Sequence, residues 1–382
     1  MFLDSLKYSQ FEGESKEWFL EKTEFNKINL IVGKNASGKT MTLNIIKNTA
    51  GLVSGDRSLF TSGNHYLVFK KNDGTIMRYN LEITNKKVKR EQFIINDRTL
   101  LNRGDNGEGM IWAEELDKEI RFQVPINELA CVNRRDSIQH PFFEDLYTWG
   151  KNLLHYNFGT PLGKDKVLAV VKAKDNEEKD EINLKDTENV VFLLSEGIKK
   201  FGDSFKREII DDINLLGYNI EDIEVSNTDM VSASIPTDIK VVHIKEAGIE
   251  GKITQMELSQ GMFRALSLII QLNLAQLSST PSCIVIDDIG EGLDFQRSIA
   301  LINLLIDKVQ NSEVQLIMST NDRFVMNNVP LEYWQVIQRN KNKCHILNYR
   351  NSKEIFDEFK FTGLNNFDFF STEFYLSGLE SK

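Results

Sequence analysis

Eight residues near the start of the chain have the types and spacing of a loop that binds phosphate. The run Gly33-Lys34-Asn35-Ala36-Ser37-Gly38-Lys39-Thr40 fits the pattern G-x-x-x-x-G-K-[ST]. Glycines let backbone N–H groups in such a loop turn toward a β-phosphate, and the following helix adds the positive end of its dipole. We expect Lys39 to reach the β- and γ-phosphates and Thr40 to hold Mg²⁺. The remaining phosphate contacts are expected from Gly33, Asn35, Ser37 and Gly38.

A second segment supplies carboxylates. The apolar run Ile284-Val285-Ile286 ends in Asp287 and Asp288. A buried strand that ends in two acids places them at the carboxyl edge of a sheet, where phosphate-loop enzymes keep Mg²⁺ and the attacking water. We expect Asp287 to bind Mg²⁺ and Asp288 to orient or deprotonate the water. Two acids after a strand are otherwise an ordinary loop start, and the upstream phosphate loop is what makes them specific.

Three further short segments surround these acids in a fixed order. Glu257-Leu258-Ser259-Gln260-Gly261-Met262-Phe263-Arg264 opens a predicted helix, Gly292-Leu293-Asp294 follows the acids, and Ser319-Thr320-Asn321-Asp322 ends another apolar strand. Ser259 at a helix N-terminus can bind an anion. Taken alone, a Ser-x-Gly helix start is only a cap, so the evidence lies in the order and spacing of the segments.

In this order the segments resemble the ABC ATPase superfamily, whose LSGGQ signature lies before the two acids. Leu258, Ser259 and Gly261 match the signature. Gln260 and Met262 depart from it, as is usual in the non-transporter SMC, RecF and OLD ATPases. The resemblance implies that Ser259 and Gly261 face ATP bound to the opposite subunit, with Asp294 in the neighbouring D-loop. It therefore implies a head-to-tail homodimer with two ATP molecules at the interface.

Two departures from the family pattern bear on turnover. Asn321 stands where most members have His, and Asn can donate a hydrogen bond but cannot accept a proton. Asp288 stands where the family usually has Glu, and its shorter side chain displaces the water that it holds. Glu291 is a possible substitute, so we expect slow ATP hydrolysis. The family also has a Gln that senses Mg²⁺ where its helical lobe begins, and Gln139 is our candidate.

The resemblance covers the N-terminal third and everything from about residue 238 onward, and it is closest to bacterial ATPases with an OLD-like head but no Toprim nuclease. It implies an ATPase whose dimerisation gates a separate effector, a nuclease or toxin, in anti-phage defence or DNA maintenance, with DNA as a further contact. Two alternatives stay open. Asp288 and Asn321 favour a scaffold that binds ATP without hydrolysis, whereas the long insertion and the missing His argue against a transporter subunit.

The elements that must position these residues follow an α/β pattern, that of a P-loop NTPase of the ABC ATPase type. A buried-strand signature at Ile28–Val32 precedes the phosphate loop. Asn72-Asp73-Gly74 between two alternating runs predicts a hairpin in an antiparallel β subdomain that continues to about residue 130. Helical spacing recurs from Phe142 to Leu153 and again from Ile198 to Leu216, where Gly217 ends the second helix.

From these patterns we divide the chain into three parts. Residues 1–150 form the first part of the ATPase domain, 151–250 a mainly helical insertion with a charged surface linker at 174–188, and 251–382 the second part of the ATPase domain. The C-terminal tail is rich in phenylalanine, which we expect to pack in the core, with docking of a partner as the alternative. These residues are Phe356, Phe359, Phe361, Phe367, Phe369, Phe370 and Phe374.

The composition restricts the protein's class and surroundings. The chain has 382 residues, 41% of them hydrophobic and 27% charged, which is typical of a soluble globular protein. A net charge of −10 argues against a protein that coats nucleic acid or anionic membrane. Basic runs at 86–90 and 339–343 are expected to be solvated surface or, as the alternative, to contact a phosphate backbone. Isolated cysteines and the lack of a signal or membrane-spanning pattern predict a cytoplasmic protein.

Overall fold

A computed structural model shows the fold and describes residues 1–171, 183–228, 237–278 and 281–377. In this part of the chain the strands are β1 (Phe2–Gln10), β2 (Trp18–Glu24), β3 (Ile28–Val32), β4 (Ser62–Lys70), β5 (Ile76–Thr84), β6 (Lys87–Ile95), β7 (Arg98–Arg103), β8 (Glu108–Ala113), β9 (Lys118–Gln123), β10 (Leu153–Asn157), β11 (Leu168–Val171), β12 (Ile220–Asn227), β13 (Thr237–Glu246), β14 (Ile253–Thr254), β15 (Cys283–Asp287), β16 (Gln315–Ser319), β17 (Trp334–Asn340) and β18 (Lys343–Asn348). The helices are α1 (Lys39–Val53), α2 (Ala130–Asn133), α3 (Glu144–Lys151), α4 (Val190–Leu215), α5 (Gln260–Ser278), α6 (Phe295–Gln310), α7 (Arg323–Asn328), α8 (Lys353–Lys360) and α9 (Asn366–Ser371). None of these helices combines the length and apolarity needed to cross a bilayer.

One large sheet connects the two predicted parts of the ATPase domain. Its strand order is β10-β15-β16-β3-β17-β18-β2-β1-β4-β5-β6-β7-β8-β9. The first five strands are parallel, so their carboxyl ends meet at one edge. The strands from β1 and β4 through β9 are antiparallel and form the predicted β subdomain. The phosphate loop leaves β3 at the carboxyl edge of the parallel strands, and the two acids leave β15 at the same edge.

The hairpin predicted at Asn72-Asp73-Gly74 joins β4 to β5. Gly74 has φ 88°, a left-handed conformation that glycine adopts without steric cost. The N–H of Lys71 donates to the carbonyl of Thr75 across the turn, at 3.0 Å. The sequence therefore predicted this turn correctly from local signals alone.

The parallel strands are buried on both faces. Along β15, Cys283 and Val285 pack into the core beneath α1, whereas Ile284 and Ile286 pack into the core beneath α5 and α6. Such a strand needs apolar side chains at every position, which explains why its sequence is a continuous apolar run without alternation. The rigid, two-sided packing fixes the strand end that carries Asp287.

A second, smaller sheet belongs to the insertion. Its order is β11-β13-β12, with β14 paired to β13, and the long helix α4 packs against both β12 and α5. The range 151–250 also contains β10, which pairs in parallel with β15 in the large sheet. Part of the predicted linker at 174–188 lies outside the described residues, and the division of the chain into three parts stays a prediction.

Two predicted helices differ from the observed ones. The helix predicted from Ile198 to Leu216 is part of α4, which already begins at Val190, and the non-helical backbone of Gly202 interrupts it. It ends as predicted before Gly217, which has φ 81°. The helix predicted from Phe142 to Leu153 is shorter in the structure, where α3 covers Glu144–Lys151. The prediction was wrong for Leu153, which begins β10. Apolar spacing continues across that boundary, but pairing with β15 determines the conformation.

The aromatic tail packs largely as predicted. Phe356, Phe359 and Phe369 are buried, and their rings contact one another. Phe367, Phe370 and Phe374 pack at the margin of the same core. Phe361 is the exception, because its side chain is 91% exposed. Core packing therefore accounts for the tail apart from this residue.

Candidate nucleotide site

The phosphate loop has the shape that its sequence predicts. Gly38 has φ 111° at the start of α1, and a Cβ at Gly33 would lie 2.6 Å from the Ile337 side chain. Larger residues at either position would strain the backbone or displace β17. The Ser37 hydroxyl is buried and has no hydrogen-bond partner in the described structure. A buried polar atom without a partner is unfavourable, so a group that binds in the loop would stabilise it.

Lys39 is folded into the loop. Its Nζ donates to the carbonyl of Gly33 at 2.8 Å and more weakly to that of Lys34 at 3.4 Å. Burial lowers the pKa of Lys39, and the charges of Asp288 and Asp287 oppose this shift. The structure thus brings together the cation and both acids that the sequence selected.

Asp287 and Asp288 occupy different environments at the end of β15. Asp287 is buried and accepts a hydrogen bond from the Ser319 hydroxyl. Asp288 accepts one from the Asn321 amide at 3.1 Å and has φ 55°. Burial, and then the Asp287 charge, raise the pKa of Asp288, while Lys39 opposes the shift. The two carboxylates therefore carry more negative charge than Lys39 offsets.

A cavity of about 850 Å³ opens over these groups. Its lining includes Asn35, Ser37, Gly38, Lys39, Thr40, Asp288 and Asn321, all predicted from the sequence. Trp18, Arg339 and Lys341 also line it. The volume is large enough for a nucleotide, and most of the loop that lines it offers N–H and hydroxyl donors.

The donors present fit Mg²⁺. Oxygen ligands are what Mg²⁺ requires, and Thr40 with Asp287 offers a hydroxyl and a carboxylate at the same sheet edge. Burial, and then the charge of the neighbouring Asp287, raise the pKa of Asp288, and a bound divalent cation would stabilise the negative charge of these acids. Among the described residues, no group of three or more His, Cys, Asp or Glu side chains could hold a metal by itself.

A match between the sequence and a known family shows which group of proteins this chain belongs to. The sequence profile of a family described as "AAA domain, putative AbiEii toxin, Type IV TA system" matches residues 28–327, from β3 through most of α7. The chain belongs to this family. The match includes the phosphate loop, the signature segment and both acids, whereas the cavity residues Trp18, Arg339 and Lys341 lie outside it. The curated proteins contain no significant match to the sequence.

Solved structures with a similar fold are SMC heads. An SMC head bound to the C-winged helix domain of ScpA has a TM-score of 0.52 at 14% identity, with 91% of this chain and 97% of that chain covered. The SMC head of Thermotoga maritima has a TM-score of 0.46 at 15% identity, with 91% and 99% covered. The SMC head from Pyrococcus furiosus has 0.48 at 13%, with 94% and 99% covered. The first of these supports a P-loop ATPase fold of the SMC/RecF-like type.

In this AAA-domain protein the signature segment lies away from the phosphate-loop cavity. Ser259 is exposed, and its hydroxyl accepts a hydrogen bond from the N–H of Met262 at 3.2 Å, as a helix cap does. A Cβ at Gly261 would lie 2.2 Å from the Gly292 carbonyl, so α5 and the D-loop are in close contact. Neither Ser259 nor Gly261 lines the cavity that contains Lys39.

The residues around the D-loop do not line the phosphate-loop cavity either. Asp294 caps α6 by accepting from the N–H of Arg297 at 3.0 Å, and its carboxylate pairs with the Arg297 guanidinium. Glu291 is exposed and does not line the cavity, although its charge contributes to the raised pKa of Asp288. Within one chain, the structure thus separates Ser259, Gly261, Glu291 and Asp294 from the phosphate loop.

Gln139 is not part of this site. Its side-chain amide donates to Glu115 at 3.2 Å, and its backbone N–H donates to Asp136. The start of the helical lobe stays a prediction; α3, which follows Gln139, is succeeded by β10, which returns to the large sheet. The residue that ends β10 is Asn157, in register with Asp287. The sequence analysis missed this residue because no local signal shows which strand pairs with β15.

Arg264 and Arg339 are two further residues whose positions the sequence did not reveal. Arg264 donates to the carbonyls of Gly159, Thr160 and Glu291 at 2.8 to 2.9 Å, and so connects α5 to the segment after β10 and to the D-loop. Arg339 donates to the carbonyl of Ala36 at 3.2 Å and lines the cavity. Arg339, the first residue of the basic run at 339–343, therefore contacts the phosphate loop.

Proposed function

We propose that this protein binds ATP between two copies of the chain and hydrolyses it slowly. One observation carries the proposal: the exposed signature serine does not line the cavity that the phosphate loop and Asp288 form in the same chain. Ser259 stands at the N-terminus of α5, a 19-residue helix whose dipole favours an anion there. A head-to-tail pair would place that helix end over a partner's triphosphate.

The residues divide the chemistry between them. Lys39 and the loop N–H groups would bind the β- and γ-phosphates, and Thr40 with Asp287 would hold Mg²⁺. Mg²⁺, when bound, neutralises charge on the phosphate oxygens. Asp288 would orient the attacking water and accept its proton, and the 3.1 Å hydrogen bond from Asn321 holds this carboxylate in place. Because burial and Asp287 raise the pKa of Asp288, that carboxylate is a better proton acceptor than an exposed Asp.

We further propose that the ATP-bound dimer gates a separate effector, a nuclease or toxin, in the cytoplasm. The family description names a type IV toxin–antitoxin system, and the similar SMC head was solved with a domain of another protein bound to it. ATP can shift the equilibrium only by its differential affinity for the closed dimer, and two bridging molecules double that free energy. DNA remains a possible further contact in defence or DNA maintenance.

Dimerisation can be tested on the Asp288→Asn protein, in which slow turnover preserves bound ATP. Light scattering after size exclusion should show dimers with ATP and Mg²⁺ and monomers without them. Adding Ser259→Arg should abolish the dimer while leaving ATP binding intact. Ser137→Arg, an exposed serine on the loop before α3, is the matched control and should still dimerise. If the Asp288→Asn protein binds ATP normally but stays monomeric, the proposal is wrong.

The alternative function is a scaffold that binds ATP without hydrolysing it. Asn321 favours this alternative, because it cannot accept a proton and stands where ABC ATPases usually have His. Phosphate release separates the two functions. Slow release that is lost in Asp288→Asn supports the ATPase. Dimers that hold ATP for hours without releasing phosphate, together with loss of assembly in Lys39→Ala, would establish the scaffold.

A further inference from the structure

A second, smaller cavity lies away from the nucleotide site, between α1 and the edge strand β10. Its volume is about 180 Å³. A water molecule's share of liquid volume is about 30 Å³, so the space holds a small ion with a few waters but not a whole nucleotide. Its charged residues and histidine are Lys47, Asp56, Arg57, His155 and Lys185, and Asn157 and Thr187 are its other polar residues. The four charged residues and His155 have no role in the proposed ATP chemistry.

The lining is positively charged in a protein of net charge −10. Asp56 is the one acid in the lining, and it already pairs with Lys185 at 2.6 Å and with Lys151 at 3.3 Å. Within the described residues, Lys47 and Arg57 have no carboxylate partner. Burial, and then the charge of Arg57, lower the pKa of Lys47. Asp56 offsets only part of the positive charge in this lining, and a bound anion would offset more of it.

His155 is an independent sign of a missing ligand. The side chain lines the cavity and the residue is only 8% exposed, yet neither ring nitrogen has a hydrogen-bond partner in the described structure. Burial, and then the charge of Lys47, lower its pKa to about 3, so the ring is neutral at pH 7 and carries one N–H donor. Buried polar groups in proteins nearly always have a partner. A ligand with acceptor oxygens in the cavity would provide one.

We propose that this cavity binds a phosphoryl group, supplied either by inorganic phosphate or by a nucleoside 5′-monophosphate. Lys47 lies on α1, Arg57 follows that helix, and His155 lies on β10, so the donors approach from separate elements. A tetrahedral dianion offers an oxygen to each donor, whereas a carboxylate has only two oxygens. The site does not depend on the proposed dimer, because each of these residues belongs to one chain.

Calorimetry on the full chain tests the proposal, with saturating ADP to keep the phosphate loop filled. Inorganic phosphate and AMP are titrated separately. We expect one equivalent of at least one of them to bind more tightly than ~1 mM. Lys47→Gln should weaken that binding at least tenfold, whereas Lys199→Gln, an exposed lysine on α4, should change it less than twofold. Tighter binding of AMP identifies a nucleotide as the source, and equal binding shows that the phosphoryl group alone suffices.

A measurement on the unmodified protein guards against a folding defect in the variant. Histidine labelled with ¹⁵N gives ring resonances, and that of His155 is assigned by its loss in His155→Asn. Adding the ligand that binds in the calorimetry, phosphate or AMP, to the ADP-bound protein should shift this resonance with the same saturation curve as the calorimetry. The proposal is overturned if neither ligand binds, if binding is unchanged in Lys47→Gln, or if the His155 resonance does not move.

Discussion

At the scale of single residues, the position of Asp288, which we propose to be catalytic, has a cost to stability. Its φ of 55° lies in the left-handed region, which Asp and Asn adopt more easily than most residues. Its carboxylate is also partly buried beside Asp287, which raises its pKa. Groups with perturbed pKa values of this kind cluster at functional sites.

We therefore expect Asp288→Asn to stabilise the ligand-free protein at pH 7. A carboxyl whose folded-state pKa is raised binds its proton more tightly when folded, so stability falls as the pH rises from the unfolded pKa through the folded one. Asn removes this penalty and suits the same backbone. Thermal unfolding should show a higher Tm for the variant, and the difference should narrow as the pH approaches about 4.

The matched control is Asp97→Asn. Asp97 also has a left-handed backbone, with φ 67°, but its side chain is 86% exposed. Its Tm should stay within about 1 °C of the wild type at pH 7, since an exposed substitution changes little. A Tm of Asp288→Asn below that of Asp97→Asn would contradict the electrostatic explanation.

At the scale of elements, the contact between α5 and the D-loop depends on Gly261. A Cβ there would meet the Gly292 carbonyl at 2.2 Å, too close for any side chain. Gly261→Ala should therefore cost about 1–3 kcal/mol of unfolding free energy through displaced backbone. A urea titration measures this loss of unfolding free energy. Gly104→Ala, where the nearest atom is 3.8 Å away, should cost less than about 1 kcal/mol.

The β subdomain depends on a buried ion pair. The side chains of Arg103 on β7 and Glu91 on β6 are both 0% exposed and lie 3.2 Å apart. Glu91 also accepts from the N–H groups of Ala130 and Cys131, so the pair fixes α2 to the sheet. Because no local pattern predicts this pairing, the sequence analysis did not include it.

Removing one partner leaves the other charge buried and unpaired. Arg103→Met should cost about 3–5 kcal/mol of unfolding free energy in a urea titration. Arg78→Ala, which breaks the exposed pair with Asp97, should cost less than about 1 kcal/mol. Similar losses for the two variants would mean that burial of the first pair is energetically unimportant.

At the scale of the whole molecule, a shared nucleotide site predicts complementation between inactive chains. Lys39→Ala removes the phosphate loop's cation, and Ser259→Arg blocks the signature. A mixed dimer would retain one intact site, formed by the loop of the second chain and the signature of the first. Because Ser259→Arg chains do not pair with each other, an equal mixture should regain phosphate release through mixed dimers only, up to about half of the wild-type level. Activity that stays at the level of the separate variants would mean that each chain completes its own site.

The sequence by itself determined the segments whose chemistry is local. The phosphate loop, the acids after β15 and the hairpin at Gly74 each depend on a few consecutive residues, and each was found where it was predicted. The strand and helix patterns around them were also local, since burial on one or both faces sets the period of apolar residues. These signals sufficed to predict the P-loop fold, although the assigned roles of the site residues stay predictions.

Only the tertiary structure decided which of these segments meet. It put Asn157 beside Asp287 and Gln139 elsewhere, connected Arg264 to two loops, and separated Ser259 from Lys39 within one chain. It also placed His155 against Lys47 beneath α1. These juxtapositions follow from strand order and helix packing, which are set by contacts between residues far apart in the chain. A local pattern specifies what each segment becomes, but the non-local packing free energy selects its neighbours.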